Sequence, residues 1–594
     1  MPRVADYIVE KLHEESVGHV FMVTGRGALF LTDAVARKTE MEAVCTHHEQ
    51  AAAFAAVAYA DAREGLGACL VSTGCASTNA LTGVLSAWQD GIPCVFISGQ
   101  NMVKETSRFT GKNLRTYGQQ EADLIPMVSS ITKYAVMITD ASQIVYELEK
   151  ALHLAMEGRR GPVWIDVPLD IQNMRIEPET LPGFEADSVQ DFEPSESDLG
   201  FLAQALQEAE RPAILVGSGV RAAGAEQALA TFIESNQIPT TYAASAPDIY
   251  GATNPYSIGS VGIMGCSRAG AFTVQNCDLL LVLGNRLTSM TTGSDCSKFA
   301  RAAKVIAVDI DPEEHTKETV KVDRVIQADV GQVLEALNKL TPLEFDRAWT
   351  EKCQHWKTVF PRCEPGHRQS EVIDLYHLAD CLTETLPDES VLVTDSGLIE
   401  LILPTNVGFQ EGQRAIHPAS QGAMGYALPA IVGAHYSSGK PVIGVIGDGS
   451  IMMNLQELET IRHNNLPVKI FVVNNNAYAV IRKRQVGLFR SRTIGTDPDN
   501  GVSCPEFEKV AEAFGISYRR IDQSSGLSDQ LKSVINEPGP VLCEIMGDED
   551  QGYISVSHAR NAQNKAVNRP IEDQAPFMDR DLFLSEMIIE PIDQ

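Results

Sequence analysis

The sequence predicts an α/β chain built from three doubly wound parallel-sheet domains. Three observations lead there. Short unbroken apolar runs such as VIGVIG and KIFVVN recur along the 594 residues, and runs of that length fit strands buried on both faces. Stretches with helical apolar spacing separate the runs, and such alternation builds parallel sheets covered by helices. Polar stretches at 177–197 and 351–370 divide the alternation into blocks, as interdomain linkers do. The expected domains are 1–180, 190–345 and 365–560, followed by a C-terminal tail, 561–594.

In the first block, VGHVFMVTG reads as a strand entering a turn at Gly25. MEAVCTHHEQAAAFAAVAYADA is a strand running into an Ala-rich helix, with Glu49 at the junction. GACLVST is a third strand, and the small-residue turn GCASTN, with Gly74 and Asn79, follows it. PCVFISGQ is a further strand, and GPVWIDVPLDIQ closes the block. In the second block, RPAILVGSGVRAAG is strand, glycine turn at Gly217 and helix, while CDLLLVLGNRL and KVIAVDIDP are buried strands. In the third, Val442–Ile446 forms a strand ending in Gly447-Asp448-Gly449. Asn454 is the expected cap of the next helix, with Glu457 at its third position and Leu455, Leu458 and Ile461 on its apolar side. Val468–Val473 is the following strand, leading to Asn474-Asn475. Parallel strands joined by a helix place both carboxyl ends on one sheet edge. Asp448 and Asn475 therefore converge, each offering oxygen. Glycines beside Asp448 admit a phosphate close to the backbone, so Mg2+ carrying a diphosphate is the expected guest.

The formal charge of −30 and pI near 4.8 argue against a nucleic-acid or anionic-membrane surface. No apolar run reaches the ~18–20 residues that span a bilayer, and the N-terminal residues lack a signal-peptide core. The 12 cysteines form no CxxC pair, which fits a reducing, cytoplasmic setting and buried thiols. The tail is expected to pack over a domain surface or a subunit contact.

GDG followed by NN resembles the thiamine diphosphate signature. HHEQAAAFAAVAYA resembles the segment that supplies the catalytic Glu of those enzymes. STGCASTNALTGVLSAWQDGIPCVFISGQ, GQQEADLIPMVSSITKYAV, GPVWIDVPLD, QGAMGYALPAIVGA and GDGSIMMNLQELET extend the likeness over almost the whole chain. It most resembles the acetolactate synthase group. The resemblance implies the three-domain fold of the pyruvate decarboxylase and acetolactate synthase type. It implies that the Glu49 carboxyl bonds the cofactor's pyrimidine ring and activates it. Backbone groups of Gly422 and Met424 would hold that ring, and Met453 would keep the cofactor bent. Asp448, Asn475 and the Ala477 carbonyl would hold Mg2+. Gly25, Gly74, Asn79, Gly447, Gly449, Ser450 and Tyr478 complete the implied cofactor set, and Gln120 would orient the intermediate or acceptor. GSGVRAAG, SVGIMG, LGNRL and DIDP resemble segments around FAD in this group, implying a structural flavin near Gly217, Arg286, Asp309 and Asp329. The family's site lies between the first domain of one subunit and the third of another, which implies a homodimer or homotetramer.

Three residues depart from that group. Met290 stands where an Arg binds the acceptor's carboxylate, Arg484 where a Trp shapes the acceptor pocket, and Gln119 where a Phe precedes the Gln-Glu pair. A Met cannot make a bidentate carboxylate pair. VTGRGALFLTDAV, CTHHEQ, NNNAYAVIRKRQ and RPIED resemble acetolactate-synthase-like flavoenzymes of surface-polysaccharide pathways, of the yersiniose A type. The expected function is a carboligase that decarboxylates pyruvate and passes the two-carbon unit to a ketone acceptor, a CDP-linked keto-deoxysugar. Arg482, Lys483 and Arg484 would then meet a nucleotide diphosphate or form a solvated basic run. Acetolactate synthase is the alternative. A 2-keto acid decarboxylase, a pyruvate oxidase and a non-enzymatic nucleotide-binding protein are further ones.

Overall fold

The computed structural model describes residues 1–186, 192–293, 295–318, 320–561 and 563–592. Residues 187–191 of the first linker and 593–594 of the tail lie outside the described residues. Three six-stranded sheets are present, and every strand pairing within them is parallel. The first holds His19–Met22, Glu42–Cys45, Gly67–Val71, Cys94–Gln100, Tyr134–Met137 and Val163–Pro168. Its spatial order is second, first, third, fourth, sixth, fifth. The third sheet holds Val391–Thr394, Arg414–Ile416, Val442–Gly447, Lys469–Asn474, Ser517–Ile521 and Val541–Met546, in the same order. The middle sheet holds Pro212–Val216, Thr240–Tyr242, Ser257–Ser260, Leu279–Leu283, Lys304–Asp309 and Arg324–Gln327. Its order is third, second, first, fourth, fifth, sixth, which is the dinucleotide-binding arrangement. The central strands are apolar throughout because helices cover both faces; Phe96, Trp164, Phe471 and Val472 are fully buried.

Two helices join the outer domains. Glu49–Arg63 is Ala-rich, and every residue from Ala51 to Ala60 is buried. It packs against Ala427–Ser438 of the third domain. A Cβ added to Gly433 would lie 2.0 Å from the Ala55 carbonyl oxygen, so the two backbones meet at a distance only small residues permit. Phe54 and Tyr426 pack edge to face at 5.2 Å, and residues of both domains share one hydrophobic core.

Two local expectations fail. The helix after the Gly-Asp-Gly turn begins at Glu457, with Gln456 and not Asn454 before it and no side-chain cap. Asn454 Nδ2 instead donates to the Gly425 carbonyl at 2.9 Å and to Gln50 Oε1 at 3.2 Å, so long-range partners outcompete the local cap. The expected linker at 351–370 begins inside a helix, Ala348–Val359, whose Trp349, Cys353 and Trp356 are buried at helical spacing. The charges between them had hidden that stripe. The tail packs on the middle domain. Phe583 is fully buried there, Arg301 pairs with Glu572 at 2.8 Å, and Trp356 Nε1 donates to Glu586 at 3.0 Å.

Candidate active site

The third domain presents a cradle at the carboxyl edge of its sheet. Asp448 follows the strand Val442–Gly447 and is 2% exposed. Its carboxylate accepts the N–H of Gly449 at 2.7 Å and of Asn476 at 2.6 Å. Burial pushes its pKa up to about 6 against those bonds, and among the described residues no cationic side chain forms an ion pair with it. Asn475 stands beside it after the strand Lys469–Asn474, its Oδ1 accepting only a 3.4 Å bond from the Ala477 N–H. A buried carboxylate without a counterion, next to an amide oxygen, fits a hard divalent cation. Space around Gly447 is open, since a Cβ there would meet nothing within 4 Å. Gly449 is needed for another reason than phosphate approach: a Cβ there would lie 2.0 Å from the Tyr478 ring.

The loop 418–427 closes this cradle. Gly422 and Gly425 take φ of 59° and 79°, left-handed values that favour glycine. Asp395, fully buried at the end of the strand Val391–Thr394, accepts the N–H groups of Gly425 at 3.1 Å and Ala427 at 2.8 Å. The Ser450 hydroxyl also bonds it, and burial raises it to about 6. Sequence reasoning missed Asp395, although VLVTD ends an apolar run in Asp as VIGVIGD does. Met453 stands next to Gly425, whose added Cβ would lie 2.5 Å from Met453 Cβ, and is 47% exposed. Met424 is half-buried. Glu400 lies beside Gly422, where a Cβ would come 2.9 Å from Glu400 Oε2. Burial, then the charges of Asp395 and Asp90, push Glu400 up to about 8.

The first domain gathers its own turns. Glu49 is the first residue of its helix, which His48 caps, and Asn79 Nδ2 donates to its carboxylate at 2.9 Å. Gly25 lies where a Cβ would meet Ser72 Oγ at 2.4 Å. Gly74 has φ 64°, and its Cβ would lie 1.7 Å from the Gln120 carbonyl oxygen. Gln120 itself has φ 59°. The Gln119 carbonyl accepts from Asn101 Nδ2 at 2.9 Å, and both glutamine side chains are exposed.

Contacts between the domains fix the turn that carries Glu49. The His47 N–H donates to both carboxyl oxygens of Glu457, at 3.1 and 3.3 Å. Glu457 is fully buried and also accepts the Thr460 hydroxyl at 2.6 Å. Among the described residues, the Glu49 side chain has Asn79 as its hydrogen-bond partner, and no hydrogen bond joins it to the Asp448 cradle. Glu457 was legible only as a helix-start residue, since its partner stands 410 positions away.

In the middle domain, Gly217 and the Gly284–Arg286 turn meet at the carboxyl ends of the first and fourth strands, where strand order reverses. An added Gly217 Cβ would lie 2.2 Å from the Gly284 carbonyl oxygen. Such a crevice fits a dinucleotide. Arg286 Nη2 reaches across to Ser420 Oγ at 2.6 Å. Asp309 ends its strand and accepts the Asp311 N–H at 3.0 Å. Asp329 instead caps the helix Val330–Leu337 through the Gln332 N–H.

The basic run is not a free cationic patch. Arg482 pairs with Glu549 at 3.1 Å and Asp497 at 3.6 Å, and Lys483 lies over the Tyr553 ring at 4.2 Å. Arg484 goes elsewhere. Its Nη2 comes 3.6 Å from Met264 Sδ. The residue before Met264, Ile263, donates its N–H to the Met290 carbonyl at 2.9 Å. Two sequence departures thus both border the segment 263–264.

The fold and the cradle fit the class of enzymes that bind a diphosphate cofactor at the carboxyl edge of a parallel sheet. Three family descriptions match the chain: the N-terminal TPP binding domain of thiamine pyrophosphate enzymes over 2–127, their central domain over 199–337, and their C-terminal TPP binding domain over 395–545. Acetolactate synthase 1, chloroplastic, of Zea mays is 31% identical over 91% of this chain and 85% of its own length. The acetolactate synthase isozyme 2 large subunit of Escherichia coli (strain K12) is 31% identical over 92% and 95%. The acetolactate synthase large subunit of Haemophilus influenzae is 28% identical over 96% and 99%. The chain belongs to the thiamine pyrophosphate enzyme family. Within it, the chain is a carbon–carbon bond-forming, decarboxylating enzyme with acetolactate synthase-like relatives. No helix among the described residues is long and apolar enough to cross a membrane.

Proposed function

We propose that the protein decarboxylates pyruvate and transfers the two-carbon unit to a second 2-keto acid, the reaction type of an acetolactate synthase. One observation carries this choice of acceptor. Met290 removes the expected carboxylate-binding Arg, yet Arg484, from another domain, ends beside Met264, whose neighbour Ile263 is bonded to Met290. The cation is relocated rather than lost, so an anionic acceptor keeps a partner. A nucleotide-linked keto sugar has less support, because Arg482 and Lys483 are engaged with Glu549, Asp497 and Tyr553.

Bound thiamine diphosphate supplies a nucleophilic carbon that takes up the ketone and accepts the electron pair left by carbon dioxide. Glu49, fixed by Asn79 and by the His47–Glu457 bond, holds a proton at the pyrimidine ring. Asp448, Asn475 and the Ala477 carbonyl hold Mg2+, and the 418–427 loop with Met453 orients the ring. Gln120 and Gln119 face the acceptor. FAD in the middle crevice has a structural role, resting on Gly217, Arg286 and Asp309. A second copy of the chain completes the site. The exposed apolar residues Ile481, Leu488 and Phe489 after the metal loop support that reading.

The test is product analysis. Protein supplied with thiamine diphosphate, Mg2+ and FAD should convert pyruvate to acetolactate. Arg484→Met should raise the acceptor KM at least tenfold while changing the first decarboxylation little. Failure to form acetolactate, or an unaltered acceptor KM in Arg484→Met, overturns the reading.

A further inference from the structure

Among the described residues, two cations in the middle of this acidic chain form no ion pair. Lys357, near the end of the helix Ala348–Val359, and Arg362 line a cavity of about 230 Å³ where the middle and third domains meet. None of the cofactor or flavin candidates lines it. A third cation on the wall, Arg368, is committed to Asp380. Lys357 Nζ reaches only the Asn254 carbonyl, at 3.3 Å. Arg362 stands over the backbone of Gly408, where a Cβ would lie 2.7 Å from Nη2. Among the described residues, neither Lys357 nor Arg362 forms an ion pair. Arg362 Nη1 is buried with no hydrogen-bond partner. The hydroxyl of Tyr242, a cavity-lining residue only 4% exposed, is buried within reach of that same guanidinium, and among the described residues the pair has no further partner. Burial, and the Arg362 charge beside it, push the Lys357 ammonium down to about 8. The helix Arg268–Asn276 also begins at the wall, at Ser267.

Buried donors left unpaired are rare and call for an explanation, and a buried cation without a partner is costly. An anion in the cavity supplies both. We propose that this cavity binds a small phosphate-bearing anion, held by Lys357, Arg362 and the Tyr242 hydroxyl. An ammonium, a guanidinium and a hydroxyl converging on one space suit a tetrahedral oxyanion with several acceptor oxygens. Ile258 and Phe360 leave apolar wall for a short organic body. Because the walls come from two domains, the bound anion ties them together and stabilises the folded chain by mass action.

The experiment uses holoenzyme saturated with thiamine diphosphate and Mg2+, so that the diphosphate cradle is filled. Inorganic phosphate and, separately, glycerol 3-phosphate are titrated at constant ionic strength, with heat of binding and melting temperature as readouts. The expected result is saturable binding of at least one ligand with a rising melting temperature. Lys357→Gln/Arg362→Gln should weaken it at least tenfold, Tyr242→Phe severalfold, and Arg519→Gln, far along the chain, not at all. Tighter binding of glycerol 3-phosphate assigns the site to a phosphorylated metabolite, and equal binding assigns it to phosphate itself. Absence of saturable binding by either ligand, or undiminished affinity in the double variant, overturns the proposal. Should the double variant not fold, tungstate soaked into holoenzyme crystals decides: anomalous density in the cavity supports the site, and density only elsewhere overturns it.

Discussion

Replacing Glu457 by alanine should cripple turnover without touching the cofactor cradle. The side chain is fully buried and receives the His47 N–H and the Thr460 hydroxyl. Glu457→Ala orphans the His47 N–H, which costs about 1–3 kcal/mol. The emptied volume adds about 2 kcal/mol, by analogy with large-to-small core changes. Stability should thus fall by roughly 3–5 kcal/mol. His47 stands two residues before Glu49, so slack at His47 is slack at the carboxyl proposed to be catalytic. A displacement on the order of 1 Å costs about 100-fold in rate. Glu457→Gln behaves differently. It keeps an oxygen for the His47 N–H, and its amide can donate to the Thr460 hydroxyl. Only the charge assistance is lost, about 1 kcal/mol. The assay is kcat for pyruvate consumption beside thiamine diphosphate affinity and the urea midpoint. Wild-type kcat in folded Glu457→Ala would refute the positioning argument. Equal damage from alanine and glutamine would show that charge, and not the hydrogen bond, matters.

Glu49→Gln should abolish pyruvate turnover while thiamine diphosphate still binds, measured by steady-state kinetics and cofactor titration; unchanged turnover removes the assigned role. Gly433→Ala places a Cβ 2.0 Å from the Ala55 carbonyl oxygen, forcing the two helices apart. The overpacking cost of about 1–3 kcal/mol should outweigh the ~1 kcal/mol that alanine gains in helix propensity, and an unlowered melting temperature refutes the close packing. Glu400 is held at about 8 against an ordinary 4.5. The folded chain therefore keeps this proton through that window, and the stability it contributes is full below 4.5 and lost as pH rises through about 8. Between about pH 5 and pH 8, wild type should lose more melting temperature than Glu400→Gln; parallel curves would contradict the assignment.

The alternation of strands and helices was legible because buried parallel strands are unbroken apolar runs. The convergence of Asp448 and Asn475 was legible because each stands where a strand ends and strand ends share an edge, whereas Glu49 stood out only through the family resemblance of its segment. Strand order was not legible, since apolar runs carry no record of their neighbours. Side-chain partnerships were lost for the same reason. Asn454 looked like a cap but bridges Gln50 and Gly425, and Arg482, read as a diphosphate contact or part of a solvated basic run, pairs with Glu549. Met290 and Arg484 together read as a more polar, more basic acceptor side, and the sequence did not show that both border the 263–264 segment.

The shared strand order of the outer sheets makes the two outer domains topological copies of one another, with a differently ordered sheet between them. In each copy the segment after the second strand carries residues proposed for the pyrimidine end: Glu49 in the first, the 418–427 loop in the other. In each copy the turn after the third strand is small, Ser72–Gly74 in one and Gly447–Gly449 in the other. Only the later copy carries the acid, Asp448. The proposed proton-handling residue and the proposed metal ligands thus lie in different topological copies, so the proposed chemistry needs both.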